Sequence, residues 1–344
     1  MTTTVLPEPR MDPIASQEAR AKSKASSESV WARSLRSGRV VVGGGILVVI
    51  ILFCVGTLVL TLPRSSSFAY DLQDSARARV GPSIWPPVAW YGFDNLGRSI
   101  LARCLLGGTI SMGVGIAAAT IAVFLGVTVG LLAGYRGGWI DATLMRTVDV
   151  LYGLPYILLV ILFKIAFESP LGRLLAWIQP KNNLDQPAWF NAAQAANLVV
   201  LFSAIGLVSW LTMARVVRGQ VLSLRGQPFI EACRAMGLPE MRVFLRHILP
   251  NLIGPITVYA TLTVPSAILQ ESFLSFLGVG VNPPLPSWGS LAAEGVQQLS
   301  PVRFYWWMLV FPCILLVVTL LSLNYMGDGL RDVFDPKRGE AAKI

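Results

Sequence analysis

The sequence contains few charged residues for its length. Asp, Glu, Lys and Arg make up 14% of its 344 residues, whereas a soluble domain carries about 25%. Hydrophobic residues make up 54%, and the mean hydropathy is +0.60. Several uncharged stretches exceed the roughly 18 residues that mark a transmembrane candidate. The composition therefore excludes an ordinary soluble enzyme and predicts an all-α membrane protein.

The sequence also lacks the patterns of metal, disulfide and nucleotide sites. One histidine, His247, cannot supply a His-based metal cluster. No G-x-x-x-x-G-K-[ST] pattern occurs, so the chain has no Walker A phosphate cradle of its own. The cysteines show no metal-like spacing and are predicted to be small core residues: Cys54, Cys104, Cys233 and Cys313. We therefore predict no catalytic residue, no metal site and no bound cofactor in this chain.

Six apolar segments predict a polytopic bundle of six transmembrane helices. The first, 40–62, is longer than the 7 to 15 residues of a signal-peptide core and is predicted to be a retained span. The later spans are predicted near 104–135, 149–167, 197–214, 251–270 and 304–326. The resulting organisation is an N-terminal tail (1–39), the first helix (40–62), an external segment (63–104), a five-helix core (105–326) and a C-terminal tail (327–344).

The distribution of Lys and Arg predicts the orientation. With both termini inside, 19 of these residues lie on the cytoplasmic side and 8 on the other side. Cytoplasmic loops of membrane proteins collect positive charge, so we predict an N-in, C-in topology. The net charge of +9 is then explained by the membrane surface, without a nucleic-acid partner.

Ionisable residues in or near the spans are candidates for functional sites. Lys164, close to the external end of its span, is predicted to extend its ammonium towards the interface. Asp149, a pathway or bracing candidate like Glu271, is predicted to be interfacial and to pair with Arg146, three residues earlier. For Glu271, which follows the fifth span, two interpretations stay open: it faces the translocation pathway, or it braces the outer end.

The predicted cytoplasmic segment 215–250 is too polar to cross a membrane and contains signals of two helices. Pro228 suits the first turn of a short helix, and Gly237 suits its C-terminal exit. Pro239 is predicted to open a second helix that stops before Pro250. A side chain at Gly237 would be costly if its φ is positive.

One face of the first short helix is apolar. Its members, at i, i+3, i+4 and i+7 spacing, are Phe229, Ala232, Cys233 and Met236. Such a face suits either the groove of a partner or the protein's own bundle. Glu231, near the N-terminus of this helix, is favoured by the helix dipole. It is predicted to orient the segment, with a capping or solvated role as the alternative.

The same residues carry a resemblance to a known family. The segment resembles the EAA loop of ABC importer permeases at residues 231–233 (Glu-Ala-Cys), Gly237 and residues 247–250 (His-Ile-Leu-Pro). In that family a short coupling helix docks onto the ATP-binding subunit. The segments 92–99, 272–289 and 324–336 are similar to the C-type permease subunit of dipeptide and oligopeptide importers.

Three features depart from that family's pattern. Cys233 replaces the usual second alanine of the EAA sequence. Ser99 stands where the family commonly has Asp, and Thr109 where it commonly has Arg, so no role is carried over for that external charge pair. The external loop 168–196 is longer than the usual link.

The resemblance implies an inner-membrane permease that forms half of the pathway for di- or oligopeptides. Its implied partners are a B-type permease, two ATP-binding subunits that hold ATP and Mg, and an external substrate-binding protein. The residues implied in coupling are Phe229, Glu231, Ala232, Cys233, Met236 and Gly237. Import of nickel or another small solute is the alternative. An ion-gradient-driven transporter is less favoured, because neither repeated halves nor a midplane carboxylate is evident.

Overall fold

The computed structural model describes residues 34–63, 65–178, 192–299 and 303–334, and these fold almost entirely as helices. We number nine of the helices in chain order: α1 (Gly38–Gly56), α2 (Ile100–Arg136), α3 (Gly138–Tyr152), α4 (Tyr156–Ile178), α5 (Ala192–Arg225), α6 (Pro228–Ala235), α7 (Glu240–Phe276), α8 (Trp288–Gln297) and α9 (Trp307–Phe334). A four-residue turn, Leu58–Thr61, continues α1, and two short 3-10 turns lie in the segment before α2. The end of the bundle that carries α6 is called the inner end below, and the end that carries residues 65–99 the outer end.

Among the described residues, five helical segments are long and apolar enough to cross a membrane, and a sixth is obtained if α3 and α4 count as one broken span. The two helices meet at a 93° bend. The predicted span 149–167 is therefore wrong in its bounds, because it joins the end of α3 to the start of α4. Pro155 accounts for the break, since a proline disfavours helical geometry at the residue before it.

The segment around Pro250 differs from the prediction. No helix stops there: Glu240–Val243, a π-helical turn Phe244–Ile248 and Leu249–Phe276 run on without interruption. The N–H of Leu249 bonds to the carbonyl of Phe244 across the wide turn. Proline has no N–H and is tolerated at the start of a helix. Pro250 therefore lies in the first α-helical turn after the π turn, and the predicted second cytoplasmic helix is the first part of α7.

Two other boundaries differ from the predicted organisation. Residues 215–225 continue α5, so the non-helical part of the predicted cytoplasmic segment begins only after Arg225. Residues 168–178 belong to α4, and residues 179–191 of the predicted external loop lie outside the described residues. The capped helix α8 was not predicted; the Ser287 and Ser290 side chains form a capping box at its start.

Close packing of α2 against α5 forms the centre of the bundle. A Cβ added to Gly130 would lie 2.6 Å from the Ala214 carbonyl oxygen, and one added to Gly134 would lie 2.8 Å from the Val221 Cβ. Gly206 of α5 makes the reciprocal approach to α2, where an added Cβ would lie 2.8 Å from the Ala118 oxygen. Small residues allow this approach in lipid, as the glycine-rich second span predicts.

The triple glycine of α1 is also a packing site, on one face only. A Cβ on Gly43 would lie 2.7 Å from the Ser322 carbonyl oxygen and 2.9 Å from the Met326 nitrogen, both in α9. A Cβ on Gly45 would meet nothing within 4 Å. At the inner end, Arg39 Nη1 donates to Asp332 Oδ2 at 2.6 Å, which ties the same two helices together.

The paired variants Gly43→Ala and Gly45→Ala separate this packing from helix propensity. Both remove a glycine from the same helix, but only the first inserts a methyl group into the α1–α9 contact. We expect Gly43→Ala to be less stable than Gly45→Ala by about 1–3 kcal/mol, the usual cost of overpacking. Thermal melting of the purified chain in detergent measures this, and equal melting temperatures would refute the packing assignment.

Candidate functional site

The turn around α6 is formed as its sequence predicts. Pro228 occupies the first turn, where a missing N–H has no consequence, and the helix ends at Ala235. Gly237 has φ +73°, and the following Leu238 N–H donates to the Cys233 oxygen at 3.2 Å. A left-handed glycine with a return hydrogen bond is a common helix C-terminus. The exit from α6 therefore has a defined geometry.

One face of α6 is anchored to the bundle. Ile230 is fully buried and Cys233 is 6% exposed. They belong to a cluster drawn from α5, α6 and α7: Met213, Val217, Val221, Ile230, Cys233, Val243, Ile248 and Leu252. For Cys233, whose stripe suited either a partner's groove or the protein's own bundle, the structure shows packing on the bundle. The inward face is set by Ile230 and Cys233, three residues apart, and Ile230 was missed.

The opposite face of α6 is exposed at the surface of the described part of the chain. Phe229 is 41% exposed and Met236 is 70% exposed, and Ala232 and Glu231 are also exposed. Glu231 makes no ion pair with another described residue, so its predicted orienting role within the segment gains no support. Arg234 instead approaches Glu240 at 3.6 Å across the turn. The result is a small, partly apolar surface on a helix held from behind, which we call the α6 face: Phe229, Ala232 and Met236, with Glu231 at its edge.

Salt bridges connect α3 to the helix that leads into α6. Arg218 binds Asp141 through two hydrogen bonds of 2.5 and 2.7 Å. Arg215 donates to Asp149 at 2.8 Å, and its guanidinium lies 4.1 Å from the ring centroid of Tyr152. The predicted Asp149–Arg146 pair is therefore wrong. Asp149 projects towards α5, and a partner 66 residues away cannot be read from local helical spacing.

Comparisons with known proteins show the family of this chain. Residues 126–340 match the family model described as "Binding-protein-dependent transport system inner membrane component". The oligopeptide transport system permease protein OppC of Escherichia coli (strain K12) is 40% identical over 290 residues, 84% of this chain and 85% of that protein. The chain belongs to this family of inner-membrane permeases. OppC of Bacillus subtilis (strain 168) is 35% identical over 336 residues, covering 96% and 98% of the two chains. The dipeptide permease DppC of the same organism is 39% identical over 254 residues, covering 73% and 70%.

Membership confirms the resemblance seen in the sequence, the helical fold class and a multi-pass location in the inner membrane. The orientation of the permease across that membrane stays a prediction from the Lys and Arg count. The secondary-transporter alternative is not favoured, since the relatives are components of binding-protein-dependent transport.

At the outer end, the permease holds a buried carboxylate between three helices. Glu271 of α7 is fully buried. Its side chain accepts hydrogen bonds from Ser111 of α2 at 2.9 Å and from Ser275 at 2.7 Å. The Trp288 N–H at the start of α8 donates to the same Ser111 oxygen at 3.2 Å. Of the two interpretations left open, the bracing one fits: Glu271 ties α2, α7 and α8 together.

A second group of charges at the outer end was missed. Arg103, 3% exposed, donates two hydrogen bonds to Glu294 at 2.6 and 2.8 Å and one to Asp94 at 2.8 Å. Arg98 donates to the same Asp94 oxygen at 2.7 Å. These residues connect the external segment, α2 and α8. The signal was an arginine in the first turn of a helix whose next 32 residues carry no charge, because such a charge is retained only when it is paired.

Lys164 does not extend to the interface, and that prediction is wrong. It is 7% exposed, and its ammonium donates to the carbonyl oxygens of Val279 and Gly280 at 2.7 and 2.8 Å. Glu168 lies 3.9 Å from the same nitrogen. The loop after α7 covers α4 at this depth and replaces water as the acceptor.

Among the described residues, no group of three His, Cys, Asp or Glu side chains forms a metal site.

The two α3 carboxylates give a matched pair of variants. Asp141, whose side chain is 16% exposed, holds Arg218 bidentately, whereas the Asp149 side chain is 61% exposed. We expect Asp141→Ala to lower the free energy of unfolding by about 1–3 kcal/mol, because it breaks two charge-assisted hydrogen bonds. Asp149→Ala should cost less than about 1 kcal/mol, as exposed ion pairs do.

Melting of the two variants beside the unsubstituted permease measures the difference. A larger loss for Asp149→Ala than for Asp141→Ala would contradict this assignment of the α3–α5 contact.

Proposed function

We propose that this permease is one half of the transmembrane pathway of an ATP-driven importer of di- and oligopeptides. A B-type permease supplies the other half, two ATP-binding subunits hold ATP and Mg, and an external binding protein delivers the peptide. The names of the relatives compared above, oligopeptide and dipeptide permeases, support the peptide class over nickel.

The observation that carries the coupling role is the two-sided character of α6. Ile230 and Cys233 fix the helix to α5 and α7, while the α6 face remains outside the core. An eight-residue helix is too short to be stable alone in water, so its position depends on the bundle. A push on the α6 face is therefore transmitted to the two helices that hold it.

The route from the α6 face into the membrane runs through charged contacts as well as apolar ones. Arg225 of α5 donates to the carbonyl oxygens of Gly134 and Tyr135 at 2.8 and 2.9 Å, which caps the end of α2. The Arg218–Asp141 and Arg215–Asp149 pairs link α5 to α3. Movement of α6 would thus be shared by α2, α3, α5 and α7, in keeping with a switch between inward-facing and outward-facing states.

Substitutions at Gly237 test this proposal. Its φ of +73° disfavours any L side chain by roughly 1–2 kcal/mol, yet no atom lies within 4 Å of an added Cβ. Gly237→Ala therefore introduces the backbone strain alone, whereas Gly237→Arg also adds a long cation beside the α6 face. We expect both variants to insert and assemble, and only Gly237→Arg to lose most ATP-driven uptake while ATP hydrolysis continues.

The assay uses the complete transporter in vesicles, with uptake of a radiolabelled oligopeptide and release of phosphate measured together. Normal uptake by a well-expressed Gly237→Arg variant would contradict the coupling role. Failure of the unsubstituted transporter to take up the peptide would instead contradict the substrate class.

A further inference from the structure

The external segment before α2 contains an uncharged loop with an exposed apolar tip. Residues 80–93, which we call the external finger, carry no charged side chain and are bracketed by Arg79 and Asp94. At its tip, Ile84 is 91% exposed and Trp85 is 78% exposed. Two adjacent large apolar side chains this exposed would gain free energy by leaving water.

Three hydrogen bonds within the finger pair some of the polar groups around that tip. The Ser83 N–H donates to the Ala89 oxygen at 2.9 Å, and its hydroxyl donates to the Trp85 oxygen at 3.0 Å. The Trp90 indole N–H donates to the Ile84 oxygen at 2.9 Å. Prolines at positions 82, 86 and 87 remove three further donors. Each of these hydrogen bonds and prolines lowers the number of unpaired polar groups that must leave water with the tip.

Contacts at the base of the finger place it at the level where α9 begins. The Trp307 indole N–H donates to the Phe93 oxygen at 3.3 Å, and Trp307 is the first residue of α9. The Tyr91 ring stacks on Phe311, with centroids 4.0 Å apart and planes 4° apart. Phe311 is four residues into the helix, or roughly 6 Å at 1.5 Å per residue. The finger therefore starts from within the first turn of a membrane-spanning helix.

The surroundings of the finger are those of a membrane interface. Trp306, beside the base, is 41% exposed, and the Arg79 guanidinium lies 5.7 Å from the ring centroid of Tyr305. Aromatic rings and long cations are enriched at headgroup depth. Asp94, the acidic residue at the end of the finger, is neutralised by Arg98 and Arg103 and so does not oppose an anionic surface.

We propose that the tip of the external finger, Ile84 and Trp85, inserts into the phospholipid headgroup and acyl boundary of the leaflet at the outer end. Lipid is favoured over a protein partner because the finger is continuous with the aromatic start of α9 and lacks charged groups for a specific polar contact. The insertion anchors the external segment, and through the Arg103 cluster it fixes the outer ends of α2 and α8.

Spin-label accessibility tests the proposal on the full chain. Ile84→Cys is labelled with a nitroxide, and the permease is purified with its copurifying subunits and reconstituted into vesicles of phosphatidylethanolamine and phosphatidylglycerol. Gln73→Cys is the matched control, because Gln73 is also exposed in the external segment but lies between Asp71 and Asp74. The native cysteines are buried or half-buried, and labelling of the unsubstituted permease gives the background.

The label at position 84 should collide with oxygen more than with a water-soluble nickel chelate, and the label at position 73 should show the reverse. Greater collision with the nickel chelate at position 84 would show a water-exposed tip and overturn the proposal. Protection from both reagents would show that protein covers the tip, which overturns it equally. Trp85→Cys repeats the measurement at the second tip position if the first variant does not assemble.

Discussion

The close approach of α2 and α5 is the constraint on which the rest of the permease depends. Gly130 and Gly134 on one helix, and Gly206 on the other, leave no room for a Cβ at the contact. Lipid supplies no hydrophobic force to bring two apolar helices together, so association depends on such close packing. Once these helices are joined, the inner end of α5 lies against α2, and the position of α6 follows from it.

Polar contacts fix the relative positions of helices that the apolar packing alone does not determine. At the inner end, arginines of α5 hold the carboxylates of α3 and cap α2. At the outer end, Glu271 and Arg103 each join segments that are distant in sequence. Buried charged groups are costly in a membrane unless they are paired or hydrogen-bonded. The paired and hydrogen-bonded charged groups therefore identify contacts that hold neighbouring helices together when they move.

Local signals made much of this structure predictable. Long uncharged runs indicate the spans, and Pro228 with Gly237 indicates both ends of α6. Contacts between distant segments could not be read in the same way. Lys164 was expected to reach the interface because it lies near the external end of its predicted span. Its actual acceptors lie 115 and 116 residues later, where local spacing gives no sign of them. The environment of Cys233 stayed open because helical spacing gives a stripe without saying which side the bundle covers. Pro250 was taken to follow a helix end because proline usually interrupts a helix. The π turn that accommodates it leaves no simple mark in the sequence.

The central claim is that the α6 face contacts an ATP-binding subunit, and photo-crosslinking tests it most directly. A benzoylphenylalanine at position 236 replaces a Met that is 70% exposed, and one at position 162 replaces an α4 leucine that is 63% exposed. Illumination of the assembled transporter should join position 236, and not position 162, to the ATP-binding subunit. The absence of that adduct from a complex that contains the subunit would contradict the account.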